Sequence, residues 1–259
     1  MKTIKDSIRE YKKELVLAVK NNPKLNESGT RLLVNDFLRN VLGYTANEEI
    51  KTEYEIGGGY ADYVLQIGKK KKIVVEVKSL GTKLSDNHLR QSLGYSAGEG
   101  IDWILLLNGR NFQLYKVMFA KPVFSKLVFD IDLLNEANYK ECFNLFELIT
   151  KKSISKNLLD EYWKKVDSLS PNSLSKYLFD ESIIRLLKKN LKTKTGVNFS
   201  NEDILDSIYQ IITTSLEIAK PKLKNIPNKN INKVKENKNV DLGVQNNTEK
   251  EEKIEGENN

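Results

Sequence analysis

Residues Trp103–Leu107 read Trp-Ile-Leu-Leu-Leu, with no polar position. A strand turns successive side chains to opposite faces, so an uninterrupted apolar run needs cover on both sides. That requirement selects a layered α/β sheet with helices on each face. The flanking sequence supplies the layers. Ile4, Ile8, Tyr11, Leu15 and Val19 share one face of an N-terminal helix. Residues 27–41 carry Leu33, Phe37 and Val41 at spacing four, with Asn26 as N-cap and Gly43 as stop. Residues 49–56 and 60–67 alternate around Gly57-Gly58-Gly59, a hairpin pattern. A charged turn at 69–72 leads into a strand at 73–78, and a helix follows over 84–97. After Trp103–Leu107, Asn108-Gly109-Arg110-Asn111 turns into a strand at 112–117, and 123–130 is a further strand. The expected fold is an α/β sandwich with a mixed central sheet.

Beyond about residue 135 the pattern becomes helical. Ser170-Pro171 and Ser200-Asn201-Glu202-Asp203 are helix starts, the second a capping box. From Lys220 onward there is no aromatic residue, and Asn, Lys and Glu dominate. Such a composition buries too little apolar surface to offset chain entropy. The expected organisation is therefore a first domain over 1–135, a helical unit over 136–219 and a disordered charged tail over 220–259. The tail is polarised, with seven lysines and one glutamate before residue 239 and a net acidic remainder.

One cysteine, Cys142, excludes an internal disulfide framework, and one histidine, His88, excludes a histidine-rich metal centre. No run approaches the length of a membrane-spanning helix, and the apolar stretch at 15–19 is too short for a signal peptide. A cytoplasmic protein is expected. The net charge of +7 leaves room for an anionic partner without demanding one.

The most informative segment is Ile73-Val74-Val75-Glu76-Val77-Lys78. In a strand, Glu76 and Lys78 point the same way, and a carboxylate in so apolar a setting needs a partner or a metal. Asp62 lies one strand earlier. If Ile67 pairs with Ile73, Asp62 falls opposite Lys78 and diagonal to Glu76. Two carboxylates and an ammonium at one spot can hold Mg²⁺, polarise a phosphate and act on the attacking water. Glu-x-Lys alone is equally an ordinary salt bridge at a sheet surface.

Asp62 followed by Glu76-Val77-Lys78 on the next strand resembles the PD-(D/E)XK nuclease superfamily, as does the order of helix, three strands, helix and strand. Ala61 stands where that superfamily often has proline. Gln91-Ser92-Leu93-Gly94-Tyr95 resembles the QxxxY motif of its helicase-linked branches. Together with Ser79-Leu80-Gly81, Leu107-Asn108-Gly109-Arg110 and Leu114-Tyr115, these residues look like the N-terminal nuclease domain of type I restriction enzyme R subunits. The resemblance spans roughly residues 20–120. It implies a restriction-endonuclease-like sandwich and a Mg²⁺- or Mn²⁺-dependent endonuclease acting on DNA in restriction or host defence. It also implies Asp62 and Glu76 as metal ligands, with Lys78 and Gln91 as further catalytic residues and Glu27 and Tyr95 in auxiliary places. The alternative is a non-cleaving nucleic-acid-binding or scaffolding subunit of the same fold. No GxxxxGK[ST] motif is present, so ATP-driven translocation is not carried over. One centre cuts one strand, so a homodimer or further restriction subunits are the expected partners.

Overall fold

The computed structural model describes residues 2–56, 59–137 and 139–213. The hairpin tip at Gly57-Gly58 and the expected tail at 220–259 lie outside the described residues.

Helix α1 (Ile4–Asn21) opens with a capping box, in which the Thr3 hydroxyl accepts from the Asp6 N–H at 3.2 Å. Its inward face is Ile8, Tyr11 and Leu15, as the periodicity requires. Helix α2 (Glu27–Asp36) starts at Asn26, whose side chain accepts from the Gly29 N–H at 2.9 Å. The helix expected to run to 41 widens instead into a π-turn over Phe37–Val41. The wider turn changes the helical phase, and Phe37, Leu38 and Val41 are all buried.

Six strands form one sheet in chain order: β1 (Ile50–Ile56), β2 (Gly59–Ile67), β3 (Lys70–Val77), β4 (Trp103–Leu107), β5 (Asn111–Met118) and β6 (Phe124–Asp132). All neighbours are antiparallel except β3 and β4. Helix α3 (Asp86–Glu99) makes the crossover that this parallel pair needs. Its Leu89, Leu93 and Tyr95 pack with Val64, Val74, Ile104 and Leu106. Aromatic side chains form a separate cluster: Phe37 meets Phe112 at 4.6 Å between ring centroids, and Tyr11 and Phe146 close around them. Strand β4 is buried at every position. Each large side chain so enclosed contributes roughly 1.5–3 kcal/mol.

Two boundaries differ from expectation. Strand β3 begins at Lys70 rather than Ile73, because Gly68, at φ +59°, makes the turn with Lys69. Lys70 and Lys71 are therefore ladder residues. The β2–β3 register also differs. Leu65 pairs with Ile73 and Tyr63 with Val75, two residues away from the expected alignment. A shift of two keeps every side chain on its own face. A bulge between Leu65 and Gln66 accommodates the turn.

The described chain divides into two compact units between Phe146 and Glu147. That point lies inside helix α4 (Tyr139–Leu148), whose Phe146 belongs to the aromatic cluster of the first unit. The composition change read from sequence lay at 135/136. The second unit is helical: α5 (Lys151–Ser155), α6 (Leu158–Ser168), α7 (Pro171–Leu178), α8 (Glu181–Thr195) and α9 (Asn201–Thr213). Ser170 caps α7 with Pro171 in its first turn, and Ser200 and Asp203 form the expected capping box. Ile184, Ile204 and Ile208 are a small core between α8 and α9. No described helix is long and apolar enough to cross a membrane.

The turn from β4 to β5 hangs on Asn108, which is 2 % exposed. Its carbonyl oxygen accepts from the Arg110 and Asn111 N–H groups at 3.0 and 2.7 Å. Its amide donates to the Thr82 carbonyl at 2.8 Å, fixing the loop that follows β3. Asn108→Ala strands these buried groups and should cost about 2–3 kcal/mol. The expected outcome is a thermal midpoint lower by roughly 4–10 °C, read by circular dichroism. An unchanged midpoint would show that the turn holds without its amide.

Candidate active site

Asp62 and Glu76 come together because β2 and β3 pair. One step beyond the Tyr63–Val75 pair, the register sets Asp62 opposite Glu76, not opposite Lys78 as expected. Both carboxylates are nearly enclosed, at 7 % and 4 % exposure. Burial raises the Asp62 pKa above the ordinary carboxylate value, against the Val77 N–H and the Arg31 charge. Burial likewise raises Glu76, with the Asp62 charge adding to it and the Lys78 hydrogen bond opposing. The Asp62 charge thus disfavours ionisation of Glu76, and the Glu27 charge that of Asp62.

Each has specific donors. Asp62 Oδ2 accepts from the Val77 backbone N–H at 2.7 Å. Glu76 Oε1 takes Lys78 Nζ at 2.5 Å, and Oε2 accepts from the Ser92 hydroxyl at 3.1 Å. Lys78 is half-buried and lies 3.9 Å from Glu27. Desolvation alone would lower its pKa, but Glu76, Glu27 and Asp62 outweigh that and hold it above the ordinary lysine value.

Local structure delivers Glu27 to this end of the sheet. The Leu80 N–H donates to the Leu25 carbonyl and to the Thr30 hydroxyl, at 3.1 and 3.0 Å. These bonds fasten the start of α2 to the chain just after Lys78. The Lys78 N–H in turn donates to the Leu107 carbonyl at 2.9 Å.

The sequence reading missed Arg31, Glu53 and Ser92. Arg31 stands one turn after Glu27 on α2. It ion-pairs with Asp62 at close range, with Glu27 at 3.1 Å and with Glu53 at 3.5 Å. Glu53 lies between the Thr52–Tyr63 and Tyr54–Ala61 pairs, opposite Asp62. Its φ of +47° puts a non-glycine residue in the left-handed region, which costs roughly 1–2 kcal/mol. Glu53, Asp62 and Glu76 thus form one row across β1, β2 and β3. Among the described residues, no three His, Cys, Asp or Glu side chains are gathered tightly enough to cage a metal by themselves.

Gln91 and Tyr95 share a face of α3, as their spacing requires. The Gln91 amide donates to the Tyr95 hydroxyl and not to Asp62, Glu76 or Lys78. Gln91 is exposed and Tyr95 is buried. The residue of this motif that touches the carboxylate pair is Ser92, one step round the helix.

A family model described as a domain of unknown function (DUF8371) matches residues 1–107, the stretch that contains all the residues above. No curated protein matches the chain. Among solved structures, the cryoEM structure of a DrdV–DNA complex is similar over 73 % of this chain, at 18 % identity and a TM-score of 0.39. The match spans 17 % of that much longer chain.

Gly59 adjoins the site from the start of β2. A Cβ there would collide with the Tyr95 hydroxyl and come within 2.9 Å of Cζ in its ring. Gly59→Ala should therefore displace Tyr95 and Gln91 and cost about 1–3 kcal/mol. In a double-mutant cycle with Tyr95→Ala, which removes the obstructing ring, the two losses should be less than additive. Strict additivity of the thermal midpoints would mean that Gly59 and Tyr95 do not meet.

Proposed function

We propose that this protein is a divalent-metal-dependent nuclease that hydrolyses phosphodiester bonds of DNA, an endonuclease of restriction or host defence. The observation that carries this reading is the pair of enclosed carboxylates, Asp62 and Glu76, opposed on neighbouring strands with Lys78 just past the end of one of them. A structural ion pair is complete with one carboxylate per cation, whereas here Glu27, Glu53, Asp62 and Glu76 outnumber Arg31 and Lys78.

The donor set fits a hard cation. Mg²⁺ takes oxygen ligands, commonly one or two carboxylates, and keeps several waters for substrate oxygens to replace. When ionised, Glu27, Glu53, Asp62 and Glu76 exceed Arg31 and Lys78 by two charges, which one divalent ion would neutralise. Asp62 and Glu76 are the ligands in this reading, and Glu27 is auxiliary. Bound there, the ion supplies Lewis-acid polarisation of the phosphate and a more acidic water. Lys78 orients the attacking water or stabilises the charge that develops on phosphate oxygen. Ser92 and the Val77 N–H fix the two carboxylates, and Gln91 positions substrate at the exposed margin of the site.

The test is cleavage of plasmid and linear DNA by the purified chain with Mg²⁺ or Mn²⁺ and with EDTA. Cutting in metal and none in EDTA is expected, and cutting that survives EDTA would exclude the metal mechanism. Lys78→Ala should lower the rate by at least about 10²-fold while leaving DNA affinity within a few-fold. Glu27→Ala should be milder. A Lys78→Ala protein that cuts at the wild-type rate would remove the lysine from the chemistry.

A further inference from the structure

The guanidinium of Arg31 stands among three carboxylates. Its Nη2 reaches both Asp62 Oδ1 and Glu27 Oε1, and its Nη1 faces Glu53 Oε1. Asp62 Oδ2 accepts from the Val77 N–H, and the guanidinium stands on Oδ1, the Asp62 oxygen without a backbone donor. Elsewhere the same side chain is only loosely held. Its Nε is buried with no partner among the described residues, and 31 % of the side chain is exposed. Glu27 and Glu53 are themselves substantially exposed, at 41 % and 75 %. A guanidinium released by Asp62 therefore has two carboxylates at hand and a path to solvent.

We propose that Arg31 is a built-in competitor for Asp62: it neutralises the carboxylate when no metal is bound and must yield Oδ1 when a divalent cation enters. Arg31 is then a positioning residue that sets metal affinity. Once displaced, it stays tethered to Glu27 and Glu53 beside the reacting centre, placed to take a phosphate oxygen. The inference rests on the metal reading of Asp62 and Glu76. Geometry favours competition over simple support of the metal site. Val77 and Ser92 donate to the two carboxylates through neutral groups, whereas the Arg31 guanidinium sets a full positive charge against Asp62 Oδ1, where it repels an incoming cation.

The test is calorimetric titration of the full chain with Mn²⁺, without nucleic acid, in wild type, Arg31→Gln, Arg31→Lys and Asp62→Asn. Arg31→Gln should bind Mn²⁺ roughly tenfold more tightly than wild type, a difference of about 1.4 kcal/mol. Arg31→Lys keeps the charge but loses the planar fork that bridges several carboxylates, and should fall between the two. Arg31→Gln should also have a lower thermal midpoint without metal and a larger rise on saturation with Mn²⁺. A purely structural arginine would lower the midpoint and leave metal affinity equal or weaker. That result, with binding still lost in Asp62→Asn, overturns the competitor role and leaves the metal site standing. Equal binding in wild type and Asp62→Asn overturns both. If Arg31→Gln does not fold, Arg31→Lys decides, since an affinity no tighter than wild type overturns the proposal.

Discussion

Two carboxylates side by side in a nearly dry corner of a sheet are the constraint around which this end of the molecule is arranged. Asp62 and Glu76 are forced together by the β2–β3 register and denied water by the helices packed on the sheet. Without partners, an arrangement of this kind costs several kcal/mol per ion. The surrounding chain reads as a set of answers to that cost. Val77 gives a backbone N–H, Ser92 a hydroxyl, and Lys78 and Arg31 full charges. These four groups come from the end of β3, α3, the residue just after β3 and α2, so the site ties together two helices and the sheet.

Most of this fold was legible because its signals are periodic. The apolar run at Trp103–Leu107 demands cover on both faces, and the sheet provides it. Caps at Asn26, Ser170 and Ser200 start helices where they should, since each supplies an oxygen to otherwise unpaired N–H groups. Signals that depend on a single extra residue were not legible. The bulge at Leu65–Gln66 and the turn at Gly68 moved the pairing by two residues. The period of a strand is two, so the error left Asp62 and Glu76 on the same face and changed only which residue stands opposite. The π-turn at Phe37–Val41 escaped for a related reason, because apolar residues at 37, 38, 41 and 42 fit an α-helix nearly as well.

The site itself was half legible. Asp62, Glu76 and Lys78 stand out because charged residues are conspicuous in apolar strands. Arg31 is not conspicuous, since a basic residue on a surface helix is ordinary. The available signal was its position four residues after Glu27, which places both on one stripe of α2. Glu53 was hidden for a different reason. In a strand reading Lys-Thr-Glu-Tyr-Glu, one glutamate of two gives no hint which faces Asp62, and its left-handed backbone is visible only in three dimensions.

Helix α3 shows why a motif's spacing and its contacts are separate facts. Residues one apart on a helix differ by about 100° in direction, so Gln91 and Ser92 cannot both look at Glu76. Ser92 takes the inward direction and the carboxylate, and its small side chain lets α3 lie close to β3. Gln91 is thereby turned to the margin, where the buried Tyr95 hydroxyl holds its amide. Tyr95 is pinned in turn by the hydrophobic core and by Gly59, whose missing Cβ leaves room for the ring. The glutamine is therefore oriented by a chain that begins in β2, the strand that carries Asp62. One strand pair fixes the carboxylates directly and the polar margin through Gly59 and Tyr95, so a change in the β2–β3 register would move both together.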